Sequence, residues 1–63
     1  MTPQELKRIR EQLGLTQREF GQRIGGLHVN TIWQYEKGWR QISEAVAAQV
    51  KRLATEGARH GHA

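Results

Sequence analysis

Glycine punctuates this chain. Gly14, the Gly25-Gly26 pair, Gly38 and Gly57 each follow a stretch of helix-forming residues. Glycine adopts the left-handed conformation that closes a helix at no steric cost. The spacing therefore predicts four short helices, and no strand signal, internal repeat or interdomain linker competes with them. The chain has 63 residues and no cysteine. One small domain is the expectation, without a disulfide or a thiolate metal site to brace it.

The helix starts are as legible as the ends. Thr2-Pro3-Gln4-Glu5 offers a threonine cap, a proline at the first helical position and a glutamate three residues after the cap. Leu6, Ile9 and Leu13 follow at helical spacing, which predicts a helix over 3–13. Thr16-Gln17-Arg18-Glu19 is a second capping box, and Phe20 and Ile24 share a face of a helix over 17–24. Gly21 sits beside Phe20, where a neighbour could approach closely. A third helix over 29–37 stops at Gly38, with Ile32 and Tyr35 as its inward stripe. Its start is the least defined, since His28 is a poor cap and Asn30 could cap a helix beginning one or two residues later. Ser43 caps the last helix, Ile42, Val46, Val50 and Leu53 mark its buried stripe, and Gly57 is read as its end. A domain over 1–57 is expected, with 58–63 as a short disordered tail that has no apolar anchor.

Ten Lys+Arg against six Asp+Glu give a net charge of +4, and the sequence pI is near 10.4. Such a bias fits a domain that binds a polyanion, and it also suits an ordinary soluble surface. No run of about 20 apolar residues is present, so no membrane span is expected. A polar N-terminus argues against a signal peptide, and a cytoplasmic location is the default. No set of titratable residues converges as an enzyme would need, so neither catalysis, nor a small-molecule substrate, nor a cofactor is expected. His60-Gly61-His62 could hold a metal only weakly, and no metal site is assigned.

The third helix carries the functional signal. Two short helices joined by a glycine-containing turn form the helix-turn-helix pattern. Opposite Ile32 and Tyr35 lie Asn30, Gln34 and Lys37 at i, i+4 and i+7, with Trp33 beside them. A core helix would not carry these residues on one side, and a plain solvent face would more often carry Glu/Lys pairs. Asn and Gln amides can contact adenine through two hydrogen bonds in the major groove.

The run Leu6-Lys7-Arg8-Ile9-Arg10-Glu11-Gln12-Leu13-Gly14-Leu15-Thr16-Gln17, then Phe20-Gly21-Gln22-Arg23-Ile24, then Asn30-Thr31-Ile32-Trp33-Gln34-Tyr35-Glu36-Lys37-Gly38 resembles the Cro/cI-type (Xre-like) helix-turn-helix DNA-binding regulators. The resemblance covers residues 4–54 and implies an all-α, compact four-helix, lambda-repressor-like domain. Two departures stand out. The turn Gly25-Gly26-Leu27-His28 is one residue longer than the family's usual Gly-Val-Ser, which bears on the start and tilt of the third helix. Gly21 stands where alanine is usual.

The resemblance implies base contacts from His28, Val29, Asn30, Trp33 and Gln34. Val29 could meet a thymine methyl or pack under the turn. His28 could reach a phosphate or base, or serve as a strained cap. Trp33 could lie on sugar-phosphate or a thymine methyl, or be a partly exposed core residue. Backbone contacts are expected from Gln17, whose amide and free N–H groups could hold a phosphate, and from Lys37, Arg40 and Gln41 after the reading helix. The bland reading of these last three is surface solubility. Thr16 mainly caps, and Arg18 and Arg23 could approach phosphates. Arg10 and Glu36 correspond to a pair that in the family joins the first and third helices. Trp39 is expected to cover the end of the core, with a partner-binding role as the alternative.

The expected function is a regulator of double-stranded DNA, probing a palindromic operator as a homodimer and repressing by occlusion. Small members of the family commonly belong to phages or mobile elements, including toxin–antitoxin and anti-CRISPR-associated regulators. The mating surface is expected around Trp39, Ile42, Val46, Val50 and Ala54. The rival reading is an antitoxin-like protein-interaction module that uses the helix-turn-helix as a scaffold.

Overall fold

The computed structural model describes residues 1–60. Among them the chain forms α1 (Pro3–Gln12), α2 (Gln17–Arg23), α3 (Val29–Lys37) and α4 (Glu44–His60), with no strand. Both Thr-x-x-Glu boxes close reciprocally. Thr2 Oγ1 accepts the Glu5 N–H at 3.1 Å, and the Glu5 carboxylate accepts the Thr2 N–H. Thr16 Oγ1 accepts the Glu19 N–H at 3.1 Å, and Glu19 accepts the Thr16 N–H at 2.9 Å. Each box satisfies donors that a helix start would otherwise leave open.

The third helix starts at Val29, and His28 is its cap. The imidazole Nδ1 accepts the Asn30 N–H at 3.0 Å, which is the job a serine or aspartate oxygen does elsewhere. The low rank of histidine as a cap did not decide the outcome, and Asn30 lies inside the helix. The longer turn before it is tied down by the Leu27 N–H, which donates to the Gly21 carbonyl at 2.8 Å. A Cβ on Gly21 would collide with the Leu27 carbonyl oxygen and stand 3.2 Å from Ile32 Cγ1. The turn's backbone therefore occupies the space that a side chain at position 21 would need.

Every helix contributes to one core. Leu6 comes from α1, Phe20 and Ile24 from α2 and its cap, Ile32 and Tyr35 from α3, and Val50 from α4. Half-buried Ile9, Leu13, Leu15, Leu27, Ile42, Val46 and Leu53 pack around them. Val50 is fully buried, so it has no surface to offer a mating face, contrary to expectation.

Two further expectations are corrected. Gly57 does not end the last helix, which continues to His60. A Cβ at Gly57 would collide with Leu13 Cδ2, so this glycine lets α4 pass close to the end of α1. Residues 61–63 lie outside the described residues, and with them His60-Gly61-His62 as a site. Trp39 does not cover the core: it is 70% exposed. The chain leaves α3 through Gly38 at φ 77. The Gly38 N–H donates to the Tyr35 carbonyl at 3.1 Å, and the Trp39 N–H donates to the Gln34 carbonyl at 2.9 Å. That pair of bonds turns the backbone sharply and brings the residue after the glycine back over the helix. Trp39 thereby lands on Trp33.

Candidate nucleic-acid interface

The inner side of α3 is locked. Ile32 and Tyr35 are buried in the core. Beside them the Glu36 carboxylate accepts from Arg10 Nε at 2.7 Å, from Arg10 Nη2 at 3.3 Å and from Gln17 Nε2 at 3.1 Å. Arg10 Nη1 donates to the Leu15 carbonyl at 2.9 Å. The two charged side chains are 14% and 6% exposed. One carboxylate thus joins the first three helices and sets the angle of α3. Relative to an apolar pair in its place such an ion pair adds little net stability, because desolvation of both ions opposes their attraction. Its structural consequence is orientation.

The outer side of α3 is open. Asn30, Trp33 and Lys37 are exposed, and Val29 and Gln34 are half-buried at its edge. Helical periodicity places Val29, Trp33 and Lys37 in one row and Asn30 and Gln34 in the next. Lys37 Nζ stands 5.8 Å from the centre of the Trp33 ring, within range of a cation–π attraction. Trp39 meets Trp33 edge-on, with centroids 4.7 Å apart and planes at 82°. Arg40 Nε donates to Gln34 Oε1 at 3.0 Å. At the other end, exposed His28 and half-buried Val29 share a shallow depression with Arg18 and Gln22 of α2.

His28, Val29, Asn30, Trp33 and Gln34 accordingly form one continuous strip from the cap of α3 into its second turn. Lys37 extends that strip. Arg18 borders its start, and exposed Gln41 follows its end. Thr16 uses its hydroxyl to cap α2. Beside it, the Thr16 N–H and then its hydroxyl hold the exposed Glu19 carboxyl below its ordinary value of 4.5, with the Arg23 charge adding to the effect. Gln17 differs from expectation: its amide N–H turns inward onto Glu36. Arg40 differs too, since its Nε lies on Gln34.

A family model described as helix-turn-helix matches residues 6–52. The chain belongs to the Cro/cI-type helix-turn-helix family. No curated protein and no solved structure matches it. Membership makes this a DNA-binding regulator domain, and no described helix is long and apolar enough to cross a membrane.

Within that family frame, three contacts lay beyond the sequence reading: Gln17 with Glu36, Trp39 with Trp33 and Arg40 with Gln34. Only the second had a local signal. A glycine helix end is often accompanied by an apolar contact between the residue after it and one in the last turn, and Trp39 and Trp33 stand in those two positions.

Proposed function

We propose that this regulator is a repressor that reads an inverted repeat in double-stranded DNA as a homodimer, with α3 in the major groove. The observation that carries this reading is the pairing of a locked inner side with an open polar outer side on one helix. Glu36 holds the angle, and Asn30 and Gln34 stand outward as amides able to donate and accept at base edges. Val29 supplies a methyl-sized contact for thymine, His28 and Trp33 border the groove, and Lys37, Arg18 and Gln41 meet phosphates on either side. Thr16 approaches the backbone from the start of α2, and Gln17 does so through its main-chain N–H alone, since its side-chain amide is held on Glu36. Binding over a promoter would exclude polymerase.

One reading helix spans only a few base pairs, too few for useful discrimination in a genome. Two-fold symmetry doubles the contacts, with reading helices about 34–36 Å apart on one side of the duplex. Trp39, Ile42, Val46 and Ala54 retain surface for mating. Sedimentation of the protein with a palindromic duplex, chosen by selection from a random pool, should give two proteins per duplex. One protein per duplex at saturation, or equal affinity for a single half-site, would sink the dimer.

The exposed Trp39 favours a second reading, an antitoxin-like module that docks a protein through its aromatic pair. Salt separates the two. Binding through several phosphate contacts weakens steeply as salt rises, whereas an interface built on Trp33 and Trp39 should hardly respond.

A further inference from the structure

Immediately after Gly38 the chain folds back, and two consecutive residues each touch a side chain six positions earlier: Trp39 meets Trp33 and Arg40 meets Gln34. The first contact is the apolar closure common to such helix ends. The second has no such explanation. Arg40 and Gln34 meet at the edge of the strip assigned to base reading, and the bond adds little to folding in water.

We propose that Arg40 is a specificity-determining residue, which holds Gln34 so that its amide meets the DNA with its donor end leading and selects guanine over adenine at one base pair. This rests on the reading of α3 as the DNA-reading helix. A guanidinium has five N–H donors and no acceptor, so it can only face the carbonyl end of an amide. The Arg40 contact therefore fixes which end of Gln34 is which. One lone pair of Oε1 is taken up by a cationic donor, while both N–H groups of Nε2 remain. Glutamine pairs with adenine by accepting from N6 and donating to N7, whereas guanine presents two acceptors, N7 and O6. A donor-led amide favours the second pattern. Once DNA excludes water from the contact, the charge-assisted bond strengthens, and the preference is set by a residue that need not touch the base.

The test is a double-mutant cycle read in base preference. Wild type, Arg40→Ala, Gln34→Ala and the double variant are titrated against the selected duplex and its single-base-pair variants. Thermal melting of each protein without DNA checks that it is folded. Gln34→Ala should relax preference at one base pair, and wild type should favour guanine there. Arg40→Ala should lower the guanine-to-adenine ratio at that same pair by roughly tenfold. In the Gln34→Ala background, removing Arg40 should weaken all sequences alike and leave that ratio unmoved. A uniform loss in Arg40→Ala, with every base preference kept, would make Arg40 a phosphate contact and overturn the proposal. A wild-type preference for adenine at the Gln34 pair would overturn it as well. Sequence-selective binding that Gln34→Ala leaves untouched would overturn it through Gln34 alone, with DNA reading by α3 intact. Loss of all sequence selectivity in wild type would remove the function proposed above together with it.

Discussion

Two arginines hold polar side chains of α3, on opposite sides of the helix. On the inner side Arg10 grips Glu36 with two N–H groups, Gln17 adds a third, and the carboxylate is 6% exposed. On the outer side Arg40 reaches Gln34 with one N–H, in the open. The inner contact joins full charges withdrawn from water, so removing one partner strands the other. The outer contact competes with water and matters little until a ligand displaces that water. Residue type does not separate the two arginines here; burial does. Arg10 ties the helix to the fold, and under the proposal above Arg40 serves what the helix meets.

The largest expected effect breaks the inner side. Glu36→Ala leaves the Arg10 guanidinium unpaired and should lower stability by about 3–5 kcal/mol. Thermal unfolding without DNA would report it, and an unchanged midpoint would erase the distinction between the two sides. Next comes the outer side. Asn30→Ala should weaken specific DNA binding by about 1–3 kcal/mol and leave the melting midpoint near wild type. A midpoint that falls as far as that of Glu36→Ala would show that the outer strip is also structural.

The smallest effect sharpens the comparison from another carboxylate. Glu19 is fully exposed and held by the Thr16 N–H and hydroxyl, which keep its pKa below 4.5. A carboxyl whose folded-state pKa is depressed adds stability above its unfolded value, and that contribution fades as pH falls through the folded one. Wild type should therefore lead Glu19→Gln in melting midpoint near pH 6, with the two converging as pH falls below 4.5 and through the depressed folded value. Curves that stay parallel over this window would mean that the charge of Glu19 adds nothing to its cap.

Much of this arrangement is legible in the sequence, and the exceptions share a cause. Thr2 and Thr16 cap as their boxes require, and Gly38 closes α3 with a positive φ. Gly57 looked like another terminator, but its role comes from Leu13 on a distant helix. His28 looked like a poor cap because rankings average over settings, and the turn at Gly25-Gly26 delivers its Nδ1 to the Asn30 N–H. Val50 and Trp39 read in the sequence as parts of one apolar surface, yet the first is fully buried and the second 70% exposed. A sequence stripe states which residues are apolar and share a face, not how deep each one lies.

The sequence by itself determined the number and order of the helices, where most of them start, and which α3 residues point away from Ile32 and Tyr35. Caps, glycine ends and the 3.6-residue repeat act within a turn or two, so no distant residue is needed to read them. Tertiary structure alone decided that Gln17 faces Glu36 across 19 residues, that Gly21 must be bare beneath the Leu27 carbonyl, and that Arg40 lies on Gln34. Each of these depends on the path of a turn, and a turn's path is settled by what the helices on either side bury together.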